Sequence, residues 1–155
     1  MAKGMCIDGD LNRFYWNTHA NVGPCCPNKP EDVQLIQLAY ACKASNPRSV
    51  LDPATRAIYA AVVPGATYTG SPNDPLSIAI RTHQKQLGGI QDGVVSSMKS
   101  SSGMYSADKA WMLVALNNNI ADVLGNQWPF IDRHPSCPPT LRDLVARVFT
   151  VTKAA

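Results

Sequence analysis

Five stretches of this chain repeat apolar residues at the three-and-four spacing of a helix, and proline, glycine and asparagine separate them. The first, Pro30 to Ala44, runs Val33, Ile36 and Tyr40 down one face, broadened by Leu35, Leu38, Ala39 and Cys42. Glu31 and Asp32 suit its positive start and Lys43 its far end. So wide an apolar face predicts a helix packed on more than one neighbour. Asn46-Pro47 ends it, and Asp52-Pro53 opens a second helix through Val63, with Ile58, Ala61 and Val62 predicted inside. A third begins at Asp74-Pro75, an N-cap followed by proline at the first helical position. It carries Leu76, Ala79, Ile80, His83 and Leu87 on one face and stops at Gly88-Gly89. The fourth is capped by Ser106 and runs to about Leu124, with Leu113, Leu116, Ile120 and Leu124 as its buried stripe. Asn117-Asn118-Asn119 inside it signals a kink, an early end or a polar face, because asparagine competes for local backbone bonds. Thr140 caps the last helix, which turns Leu141, Leu144, Val145, Val148 and Phe149 inward.

Between these lie irregular segments. Residues 1–27 read as an arm in which Arg13 to Trp16 forms a short strand or an apolar strap over the core. Gly65 to Asn73 is a loop with one aromatic, Tyr68, and loops on a rigid scaffold often carry recognition. Ser96 to Gly103 reads as a polar linker, and Gln127 to Pro139 as a crossover pinned by Trp128 and Phe130. The expectation is one compact, mostly α domain of about five helices: an arm (1–27), a helical core (28–125), and a crossover with a C-terminal helix (126–155). A short two-stranded element is expected where Val94-Val95 meets the arm.

The string Ala79-Ile80-Arg81-Thr82-His83-Gln84, continuing through Gly88-Gly89 to Asp92-Gly93-Val94, resembles the second half of the peptidoglycan-binding domain family. Asp32-Val33-Gln34-Leu35-Ile36-Gln37-Leu38 is similar to that family's first half, and together the match covers about residues 21–95. His83 stands where the family has phenylalanine, and residues 46–73 form an insertion or a lengthened middle helix. The resemblance implies a non-catalytic wall-binding module that holds glycan or stem peptide in a shallow groove. It places contacts at Arg81, Gln84 and Asp92. Loop position adds Tyr68, and His83 enters as the altered place in the family's pocket, although a hydrogen-bonded core histidine is the plainer reading. A rival from another class keeps the scaffold and loses the ligand: a protein-interaction adaptor of the secretion-effector or immunity type.

Composition narrows this picture little. The chain has 155 residues, 45% hydrophobic and 16% charged, enough for one domain with a real core. Its formal charge of +3 is spread without a basic run, so nucleic acid is not favoured, and anionic wall polymers are compatible. No apolar stretch approaches a membrane span or a secretory signal, so action at the wall would need a specialised export route or a leader absent from this sequence.

Catalytic and metal chemistry are weakly supported. A wall amidase would pair Cys25 or Cys26 with His134, but Pro24 and Pro27 argue against a helix start at those cysteines. His19, Cys25, Cys26, His134 and Cys137 are metal-ligand types, yet adjacent cysteines in an extended chain diverge, and separate loop residues or a disulfide such as Cys26–Cys137 are preferred. The five cysteines leave at least one unpaired internally, and Cys42 suits a buried apolar position. No phosphate loop, paired carboxylates or cofactor signature is present.

Overall fold

The structure, a computed structural model, describes residues 2–6, 14–98 and 111–154. It is mostly helical, with five α-helices and a two-stranded antiparallel sheet among those residues. The helices are α1 (Pro30–Ser45), α2 (Pro53–Ala60), α3 (Pro75–Gln86), α4 (Trp111–Leu124) and α5 (Pro139–Ala154). Strand β1 (Lys3–Cys6) pairs with β2 (Phe14–Asn17), Lys3 opposite Asn17 and Cys6 opposite Phe14. Two single turns of 3-10 helix, Gly125–Gln127 and Ile131–Arg133, make the crossover into α5.

Helix α1 is the centre of the molecule. Leu35, Ile36, Leu38, Ala39, Tyr40 and Cys42 are all buried, so apolar surface is covered on nearly every side of it. It touches α2, α4 and α5, which is what its broad apolar face demands. Ile36 at its middle and Ile80 on α3 are both fully buried members of one core. Trp16 and Val22 join the same core, so the N-terminal arm supplies interior side chains as well as cover. Around Trp16, the rings of Phe14 and Phe149 lie edge-on at 5.2 and 6.1 Å, and Phe130 packs on Phe149 at 4.8 Å. Such ring pairs contribute about 0.5–1.5 kcal/mol each beyond their burial.

Several expected boundaries move. Helix α2 ends at Ala60 instead of Val63; Tyr59 is its buried residue, while Ala61 is exposed and Ile58 only half-buried. The cause is the Gln37 side chain, which receives Gly65 N–H at 3.0 Å and donates to Ala66 O at 2.8 Å, drawing the chain into a turn early. Leu87, placed inside by periodicity, is 52% exposed because α3 ends at Gln86. Thr140, expected as the cap of the last helix, lies inside α5, which begins at Pro139. The capping role given to Ser106 lies outside the described residues.

The asparagine triple does not end α4, which continues through it to Leu124. Asn117 is buried and accepts Trp16 N–H at 2.7 Å while donating to Trp16 O at 2.9 Å, as a strand neighbour would. Asn119 faces Asn46 and Ser49, and only Asn118 is exposed. A side-chain amide inside α4 therefore satisfies the inner edge of β2, where an unpaired buried backbone group would cost about 1–3 kcal/mol. Asp32 does similar work at the start of α1: its carboxylate accepts the N–H groups of His19 and Ala20 at 2.8 and 3.0 Å.

The expected contact between Val94-Val95 and the arm is present as a single antiparallel bridge. Val22 N–H donates to Val95 O at 3.0 Å and Val95 N–H to Val22 O at 2.8 Å. The two-stranded sheet itself forms elsewhere, between β1 and β2.

Candidate functional site

The bridge brings the turn Gly23–Cys26 against the corner Asp92–Gly93, and α3 lies beneath both. Gly93 is buried at φ +75°, and a Cβ there would meet Pro24 Cδ at 3.4 Å and Arg81 Cγ at 3.5 Å, at ordinary contact distance. The corner is held from inside by Gln84. Its carboxamide donates to Asp92 Oδ1 at 2.7 Å and Val94 O at 3.1 Å, and accepts Gly93 N–H at 2.9 Å. Asp92 Oδ1 also accepts Val94 N–H, closing a local turn.

On the other flank, Asp74 organises both a loop and a helix. One carboxylate oxygen caps α3 through Leu76 N–H at 2.9 Å; the other accepts Thr69 N–H and Thr69 Oγ1–H at 3.1 and 3.0 Å. The loop is thereby fixed, and Tyr68 is set beside α3 with its hydroxyl 2.7 Å from Ser77 Oγ. Arg81 crosses back to Pro72 O. The Tyr68 phenol is pushed above its ordinary value, chiefly by burial; the Asp74 carboxylate and the Cys26 thiol raise it further, against the Ser77 bond and the Arg81 charge. Cys26 is pushed up by burial, by Asp92 and by Cys25. Arg81 lies within electrostatic reach of Tyr68, and its stem passes the Asp92–Gly93 corner, so the loop, the helix and the turn meet here.

Of the five residues read as ligand contacts, three share this face: Tyr68, Arg81 and Asp92. Tyr68 and Arg81 are half-buried and Asp92 is exposed. The other two do not face it openly. Gln84 is 8% exposed, with both ends of its amide committed to the corner, so its part is to shape the turn. His83 is 3% exposed and lies in the core, 3.3 Å by Nδ1 from the Tyr40 hydroxyl, its ring edge-on to Tyr40 and Tyr59. Tyr40 and Tyr59 stack at 5.3 Å, Lys43 Nζ sits 5.4 Å from the Tyr59 ring, and Tyr59 donates to Gln86 Oε1 at 2.7 Å. Burial, with the Lys43 charge adding, lowers the His83 pKa from 6.5 to about 3, so the imidazole is neutral in the fold. No polar hole faces solvent at that position.

The sequence reading missed the turn Gly23–Cys26 as a part of this face, and the Tyr59 and Tyr40 partners of His83. Gly23-Pro24 was the available signal for the turn, but nothing local ties it to Gly93 seventy residues on. The ligand types considered for metal are dispersed. Cys25, Cys26, Cys42 and Cys137 are free thiols, Cys26 and Cys137 included, so that proposed disulfide is not formed. His134 Nδ1 accepts Ser136 N–H, and His19 is exposed. Among the described residues no three histidine, cysteine or carboxylate side chains converge as a metal site, and no helix is long and apolar enough to cross a membrane.

No protein-family model, curated protein or solved structure matches the chain.

Proposed function

We propose that this chain is a non-catalytic binding module for bacterial wall glycan or stem peptide, and that the face around Tyr68, Arg81 and Asp92 receives it. The observation that carries the reading is the convergence of those three residues from a loop, a helix and a turn. Their chemistry fits such a polymer. A phenol ring packs on a sugar face, a guanidinium pairs with a stem-peptide carboxylate, and a carboxylate accepts from hydroxyl or amide groups. The surrounding frame is rigid, since Asp74 and Gln84 fix the loop and the corner, and a preorganised face loses less freedom on binding.

Sedimentation with purified sacculi tests this. The protein is expected to pellet with the wall, and Arg81→Ala to weaken that binding about tenfold, the size of one charge-assisted hydrogen bond. Asp92→Asn keeps an oxygen for the Val94 N–H and removes the charge, so it separates recognition from turn geometry. Unchanged sedimentation in both variants, with unchanged thermal melting, would move the site off this face.

One observation favours the adaptor reading as second: Leu87 and Ile90, beyond the end of α3, are 52% and 81% exposed. A protein that leaves sacculi in the supernatant and binds a protein partner with affinity lost in Leu87→Ser and Ile90→Ser would establish that alternative.

A further inference from the structure

Cys25 and Cys26 sit in the tight turn that Gly23 opens, where Cys26 N–H donates to Gly23 O at 3.2 Å. Asn28 clamps the turn from below: its side chain accepts Gly23 N–H at 2.8 Å and donates to Gly23 O at 2.9 Å. In an extended chain neighbouring side chains point to opposite sides. Cys25 is at φ +59°, a region that residues other than glycine seldom adopt, so the backbone here is not extended. Cys25 is exposed, and Cys26 is half-buried within electrostatic reach of Asp92. Two other cysteines are different. Cys42 and Cys137 are buried, and burial raises their thiols to about 12 and about 11, so they stay protonated and unreactive near neutral pH.

From the bent turn, the exposed sulfur and its sheltered neighbour, we propose that Cys25 and Cys26 form a thiol–disulfide exchange site that closes to a vicinal disulfide with a low-molecular-weight disulfide as oxidant. The Cys25 thiolate attacks one sulfur of the external disulfide, forming a mixed disulfide and expelling one thiolate. The Cys26 thiolate then attacks the Cys25 sulfur, forming the Cys25–Cys26 bond and expelling the second. Two protein thiols are oxidised, one external disulfide is reduced to two thiols, and these carry away the two protons. Exposure assigns the first attack to Cys25; burial and the Asp92 charge hold Cys26 back as the resolving thiol. A bond between adjacent residues is strained and accessible, which is the labile kind that a change of redox poise reverses.

The test uses the full chain carrying Cys6→Ser, treated with oxidised glutathione, digested, and read by mass spectrometry with iodoacetamide labelling. The expected result is a Cys25–Cys26 peptide lighter by two hydrogens, with both thiols lost to alkylation and both restored by dithiothreitol. Cys25→Ser and Cys26→Ser should each instead hold glutathione on the remaining cysteine. A wild-type pair that keeps a glutathione adduct on Cys25, forms dimers, or alkylates as readily after treatment as before would overturn the proposal. None of these readouts involves wall binding, so the exchange site and the wall-binding reading stand or fall separately.

Discussion

Gly23→Ala is expected to destabilise the protein by about 3 kcal/mol or more, the sum of backbone strain and steric overlap in a packed region. Gly23 is buried at φ +150°, and a Cβ there would lie 2.4 Å from Gly93 O and 2.9 Å from Val94 Cα. Both obstacles are backbone, so no side chain can swing aside. Relief requires the Val22–Val95 bridge to open, and with it the joint between the arm and the Asp92 corner. Gly88→Ala supplies the comparison. Gly88 is also left-handed, at φ +72°, but nothing lies within 4 Å of a Cβ there, so only the conformational cost of about 1 kcal/mol remains. Urea unfolding of the two variants measures the difference directly. Equal losses would mean that the close approach of Gly23 to Gly93 does not hold the fold together.

The second large effect is on pH dependence. His83 has its pKa lowered in the fold, from 6.5 to about 3, so the unfolded chain binds a proton that the folded one refuses. Its contribution is complete above about pH 6.5 and is lost as pH falls from there toward 3, because protonation favours the unfolded state. Between pH 7.5 and 5 that amounts to roughly 2 kcal/mol of stability. His134, also lowered by burial and the Arg142 charge, acts in the same direction. His83→Phe removes the larger titration, and most of the slope of unfolding free energy against pH over this range should go with it. The variant has a separate, pH-independent cost, since the buried Tyr40 hydroxyl loses its partner. A slope as steep in the variant as in the parent would show that the imidazole is not held neutral in the core.

The contrast between these positions explains what the sequence could tell. Helices α1 and α3 were legible because their signals are local: proline at the first turn, Asp74 as a cap, apolar residues at helical spacing. The mostly helical class follows from the same signals. What failed locally was decided at a distance. Asn117 reads as a helix flaw until Trp16, 101 residues away, is seen to need its amide. Gln84 reads as an exposed polar ligand contact, yet its amide fits the backbone of a turn eight to ten residues on. Tyr59 has no helical stripe to mark it, and its burial depends on stacking with Tyr40 from α1. Of the face itself, Tyr68, Arg81 and Asp92 could be named individually. That they share a side of the molecule with Cys26 depends on the Val22–Val95 bridge, a pairing that single-residue patterns do not encode.

The central claim is that segments far apart in sequence close into one unit whose Tyr68–Arg81–Asp92 face takes a wall fragment. Titrating isotope-labelled protein with soluble wall fragments and following its amide and side-chain resonances tests this most directly. The account predicts saturable shifts concentrated at Tyr68, Arg81, Asp92 and the neighbouring Gly23–Cys26 turn, with α5 unmoved. Shifts centred on α5 or on the exposed end of α3, or none at saturating fragment, would contradict it.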